Sequence, residues 1–97
     1  MKINLQAVKT VLMNPKISGN SIGKNTILSR ASVSLYRKGE QSFAKFKLRN
    51  AASIQEWIDK DKELQTLLKQ LPLEDVSKDN LVEVLDIDKI NHILGLK

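Results

Sequence analysis

The residues able to do chemistry in this sequence are concentrated between Ile22 and Gly39, and they are hydrogen-bond donors and cations, not nucleophiles. Arg30 directly follows Ser29, a residue suited to cap a helix, and its planar fork of N–H groups matches the two acceptors that guanine presents in the major groove of duplex DNA. If Val33 and Tyr36 turn inward, the outer face of the same helix carries Ser29, Arg30, Ala31, Ser34, Leu35 and Lys38. Ser29, Arg30, Ala31, Ser34 and Leu35 form the candidate base-reading set, with Ala31 and Leu35 placed to touch thymine methyl groups. Lys16, Lys24, Arg37, Lys38, Lys45 and Lys47 are the candidate phosphate contacts, which position a protein on DNA without reading its sequence.

Charge supports that assignment when it is counted by region. Residues 1–50 hold ten Lys or Arg and a single acid, Glu40, for a net +9, whereas residues 51–97 hold six bases and ten acids, for a net −4. The overall +5 therefore conceals a polarised chain, with a polyanion-binding face at one end and a non-binding end at the other.

Enzymatic chemistry has little to stand on. No nucleophile is paired with a base: His92 is the only histidine and lies in the acidic tail, and the serines of the basic region serve as caps. Asp86 and Asp88 lie near His92 without a metal-site spacing, and Tyr36 is expected in the core. There is no cysteine, hence no disulfide framework and no thiolate metal site. No cofactor, catalytic residue, metal ligand or small-molecule ligand is expected. The N-terminal residues lack the apolar stretch of a signal peptide, and no segment approaches the roughly 18 to 20 apolar residues of a membrane span, so a cytoplasmic protein without membrane contact is expected.

The elements that must position the donors follow from periodicity. Leu5, Val8, Val11 and Leu12 recur at helical spacing within residues 3–13, and Asn14-Pro15 ends the run. Ser18 is placed to cap a second helix over about 19–26, with Ile17 stapling onto Ile22. A third helix spans 29–38 and ends at Gly39, a residue free to take a left-handed cap. Two short helices crossing steeply need a small residue at the crossing and apolar inner faces; Gly23 is the small residue, and Ile22, Thr26, Leu28, Val33 and Tyr36 supply the faces. This is the spacing of a helix-turn-helix. Residues 40–47 read as a loop or single turn pinned to the core by Phe43 and Phe46. Leu48, Ala51, Ile54, Trp57, Ile58, Leu64, Leu67, Leu68 and Leu71 read as one long helix over 48–71, stopped by Pro72. Residues 72–78 read as a linker. Val76 to Leu85 and Ile87 to Leu94 suggest two short helices ending at Gly95, with a short strand at Val82 to Leu85 as the alternative.

Over residues 18–60 the chain resembles the Cro and phage-repressor-like helix-turn-helix family. The resemblance is carried by Ile22-Gly23, Leu28-Ser29-Arg30, Val33, Tyr36, Gly39-Glu40 and Leu48 through Ala51 to Ile58. It implies five short helices, binding to duplex DNA as a homodimer and a role in transcriptional regulation. Two positions depart from the family pattern. Ile27 stands where the turn usually has glycine, so a different turn geometry is expected, because a β-branched residue disfavours positive φ. Gly19 stands where a glutamine often opens the second helix, and that side chain's phosphate contact is lost.

The expectation is an all-α fold, a compact bundle of about five short helices containing a helix-turn-helix, with a C-terminal helical extension. Residues 1–71 would form the DNA-binding domain, and residues 72–97 an acidic extension for dimerisation or partner contact. The function expected is sequence-specific binding of double-stranded DNA by a homodimer, as a small bacterial, phage or plasmid transcriptional regulator. The stripe from Ile54 to Leu71 and the tail residues Leu85, Ile90, Ile93 and Leu94 are its candidate dimer surfaces. An accessory DNA-binding protein of plasmid transfer or replication shares the same chemistry. A protein-interaction module, such as an antitoxin-like adaptor, is the alternative from another class.

Overall fold

Each helix begins and ends where a local signal dictates, and the computed structural model shows those signals in use over the residues it describes, 2–77 and 79. Helix α1, Leu5–Met13, starts at Asn4, whose side chain accepts from Ala7 N, and stops at Asn14 before Pro15. Helix α2, Gly19–Asn25, is capped by Ser18, which accepts from Ser21 N. Helix α3, Arg30–Arg37, is capped by Ser29, which accepts from Ser32 N. Gly39 closes α3 at φ +79°, the left-handed conformation that favours glycine. A 3-10 turn, Phe43–Lys45, leads into α4, Leu48–Lys60, and α5, Lys62–Gln70. The protein is all-α: among the described residues helix makes up 64%, with five α-helices and no strand. None of these helices is long and apolar enough to cross a membrane.

The core forms where α1 packs on α3, α4 and α5. Val8, Val11 and Leu12 of α1, Ile22 of α2, Val33 of α3 and Ala51 and Ile54 of α4 are almost wholly excluded from water, together with Phe46. Phe43 and Phe46 are buried, as expected of core anchors, and Ile17 and Ile22 are buried on either side of the Ser18 cap.

The expected single helix over 48–71 is two helices. Asp61 is at once the C-cap of α4 and the N-cap of α5, with extended backbone at φ −109°, ψ 104°. Its N–H donates to Trp57 O, one carboxylate oxygen accepts from Leu64 N at 3.0 Å, and the other accepts from Trp57 Nε1 at 3.1 Å. Gln65 Nε2 donates back to Ile58 O at 2.7 Å, holding a carbonyl of α4's last turn. The physical reason is phase: a straight helix continuing the stripe past Ile58 would turn Asp61, Lys62 and Gln65 toward the core, and the break restores burial of Leu64 and Leu68. Asp61→Ala is therefore expected to cost about 1–2 kcal/mol in denaturant unfolding, the worth of a cap plus the Trp57 indole's partner. A loss within about 0.3 kcal/mol of zero would show that the break is held by phase alone.

This packing also removes one expected dimer surface. Ile54, Ile58, Leu64, Leu68 and Leu71 are buried in the protomer's own core. The described part of the expected linker over 72–78, residues 72–77, packs back on α1 together with Asp79. Glu74 N donates to the Oγ1 of the fully buried Thr10 at 2.9 Å, and Lys9 Nζ reaches Asp75 O at 3.0 Å and Asp79 Oδ2 at 2.7 Å. The two short helices expected before Gly95, with the tail residues Leu85, Ile90, Ile93 and Leu94, and also Asp86, Asp88 and His92, lie outside the described residues.

Candidate nucleic-acid interface

Helix α3 buries one side and bares the other. Val33 and Tyr36 face the core, while Ser29, Arg30, Ala31 and Lys38 are exposed, Ser34 is half-buried, and Leu35 remains 36% exposed despite its size. The five residues of the base-reading set thus share one helix and its cap. Tyr36 anchors the helix from beneath: its ring meets Phe46 edge-on at 5.2 Å, and burial raises its phenol above the ordinary range.

Two glycines of α2 set how α3 lies against it. A Cβ on Gly23 would lie 3.5 Å from Arg30 N and 3.8 Å from Leu28 O, so α2 passes the start of α3 at contact distance. A Cβ on Gly19 would lie 3.3 Å from Arg30 Cγ, tighter than its stem tolerates without moving. The stem of Arg30 thus lies over the first residue of α2. The connection between the helices, residues 26–29, has its own geometry. No non-glycine residue among those described has positive φ, Ile27 included; Thr26 is extended, and Thr26 Oγ1 donates to Ile22 O while accepting from Leu28 N. Ile27 N is tied to Ser53 Oγ on α4 at 2.9 Å, leaving the isoleucine side chain 55% exposed.

The cations divide into those that face solvent and those already in use. Lys16, Lys24, Lys38, Lys45 and Lys47 are exposed. Lys45 and Lys47 line a groove of about 740 Å³ between α3 and the start of α4, together with Ile27, Ser32 and Tyr36. Lys24 lines a neighbouring groove of about 1120 Å³. Arg49 lines both grooves and joins them. Lys16 stands apart from this group, in a groove of about 400 Å³ beside Trp57 and Leu67.

Arg37, expected among the phosphate contacts, points the other way. Its Nε donates to Leu12 O at 2.7 Å, and its Nη2 reaches Asn14 O at 2.8 Å, Ile17 O at 2.6 Å and Val11 O at 3.3 Å. Burial pulls its guanidinium below the usual arginine range. Lys9 is likewise engaged, by Asp79 and over the Phe43 ring at 5.3 Å.

Arg49 and Asn50 were not singled out in the sequence, yet they sit at the start of α4, where Lys47 is the N-cap and provides no side-chain cap hydrogen bond. The positive end of α4 is thus uncapped beside Lys45, Lys47 and Arg49, whereas α2 and α3 cap themselves with serine. The signal was present in Lys47-Leu48-Arg49, a helix start with cations in place of Ser, Thr, Asp or Asn. On the far side of the larger groove, Glu56 pairs with Lys60 at 2.8 Å, which holds its carboxyl below the ordinary range. Comparison of the chain with protein-family models, with curated proteins and with solved structures found no match.

Proposed function

We propose that the protein binds double-stranded DNA sequence-specifically, with α2 and α3 acting as a helix-turn-helix and α3 entering the major groove. The observation that carries this reading is the bare outer face of α3, with Arg30 at its N-terminal end and the cationic groove of Lys45, Lys47 and Arg49 along its flank. An arginine fork at the entering end reads a base edge, and exposed cations beside it fix the helix on the phosphates. One recognition helix covers only a few base pairs, so the binding species proposed is a homodimer with half-sites about one helical turn, roughly 34 Å, apart. A cytoplasmic transcriptional regulator of bacterial, phage or plasmid origin fits this chemistry.

Selection of bound duplexes from a random pool, followed by titration of variants, tests the reading. Arg30→Ala is expected to cost about 1–3 kcal/mol on the selected duplex and to relax preference at one base position. Lys45→Ala should weaken all duplexes by about the same factor. An unaltered selected sequence with Arg30→Ala would remove Arg30 from base reading, and failure of the unsubstituted protein to enrich or bind any duplex would remove the function.

A further inference from the structure

We infer that Arg37 is a positioning residue for base reading: it locks the pose of α3 by holding the backbone where α1 ends and α2 begins. The inference rests on the DNA-binding reading above. Helix α1 has no basic residue in its last turn, so its negative end is not offset by a charge of its own. Arg37 supplies that charge from α3. It pairs with carbonyls of Val11 and Leu12 in the last turn of α1, of Asn14 just past it, and of Ile17, the residue before the Ser18 cap of α2. One planar guanidinium thus ties the C-terminal end of α3 to the end of α1 and to the residue before the cap of α2. At the opposite end of α3, the close approach of Gly19 and Gly23 holds the Arg30 region. With both ends fixed, the helix presents Arg30, Ala31 and Leu35 at one depth and rotation. Lysine cannot replace this arrangement, since an ammonium donates from a single point while the guanidinium spreads its donors in a plane. Asn14 O would keep Ile17 N as a donor, but the carbonyls of Val11, Leu12 and Ile17 would lose the guanidinium and relax by shifting the 11–17 backbone, and α3 with it.

A phosphate ligand, a merely structural residue and a positioning residue behave differently in one experiment. Full-length protein, Arg37→Lys and Arg37→Met are titrated with the selected duplex and with a random-sequence duplex across a salt series, below the melting temperature found for each by circular dichroism. For both variants the ratio of specific to random affinity is expected to fall about tenfold or more, while the slope of log K against log salt on random duplex stays at the unsubstituted value. A slope shallower by about 0.9 for each protomer engaged in Arg37→Met would make Arg37 a phosphate ligand and overturn the inference. So would equal losses on both duplexes, the mark of a smaller folded fraction, or an unchanged ratio in Arg37→Lys.

A second measurement needs no variant. Arginine-specific modification of the unsubstituted protein should find Arg37 slow to react both free and DNA-bound, while Arg30 and Arg49 become protected only on DNA. Protection of Arg37 that appears only with DNA overturns the inference. If the unsubstituted protein prefers no duplex over random DNA, the DNA reading fails, and the Arg37 inference fails with it. If that preference is present but insensitive to Arg37, only the inference fails.

Discussion

DNA affinity is expected to fall by roughly 10²- to 10³-fold for each protomer engaged between about 50 and 200 mM monovalent salt, the consequence of about four to six phosphate contacts per protomer, each releasing counterion at a logarithmic slope near −0.9. The structure limits which cations can contribute. Of the ten Lys and Arg in residues 1–50, Lys9 is engaged by Asp79 and Arg37 by backbone carbonyls, leaving Lys2, Lys16, Lys24, Arg30, Lys38, Lys45, Lys47 and Arg49 exposed. Lys45, Lys47 and Arg49 share one groove at the uncapped start of α4, where the helix's own partial charge adds to theirs. Alanine at any of these three is expected to reduce the slope by about 0.9 for each protomer engaged, and at Lys9 to leave it unchanged. Fluorescence anisotropy of a labelled duplex across a salt series measures all of this. A slope shallower than about −2 for the unsubstituted protein counts against the cationic face as a DNA surface.

How much of this was legible in the chain depended on how local the cause was. Helices α2 and α3 were readable because Ser18, Ser29 and Gly39 act within a few residues of themselves. The inward turn of Val33 and Tyr36 followed from the same short period, whereas whether Leu35 stays in water or is covered by a neighbour depended on packing that the period does not give. The break at Asp61 was present in the sequence but masked by a run of leucines. The apolar stripe loses its phase between Ile58 and Leu64, and Asp61 with Leu64 three residues later is a cap in waiting. The course of Arg37 was not readable at all. A helical wheel places it at the flank of α3, and whether a long side chain there reaches water or backbone depends on α1 ending at Met13, which leaves the carbonyl of Leu12, 25 residues before Arg37, open to it. Thr10 and Gln55, the buried polar residues, depend in the same way on distant partners: Glu74 N for the first, Asn4 N for the second.

Phe46→Ala is expected to remove about 3–5 kcal/mol of stability, the range for deleting a fully buried aromatic side chain. Phe46 is wholly excluded from water, stacks on Phe43 at 5.0 Å and meets Tyr36 edge-on at 5.2 Å. Alanine would leave a void under α3 and forfeit both ring contacts, each worth about 0.5–1.5 kcal/mol beyond area burial. A domain of this size holds only about 5–15 kcal/mol in total, so the variant should unfold at a much lower denaturant midpoint and melt many degrees earlier. Phe46→Leu, which refills part of the void, should recover most of the loss. The consequence reaches the proposed DNA surface because Phe46 lies between Lys45 and Lys47 in the chain and beneath Tyr36 of α3 in space. In the fraction that stays folded, the cationic groove and α3 lose a shared support, so affinity for selected and random duplexes should weaken together with stability. Guanidinium unfolding followed by Trp57 fluorescence measures the first effect and anisotropy titration the second. A stability loss below about 1 kcal/mol would place residues 43–46 outside the cooperative core and remove this coupling between the fold and the proposed interface.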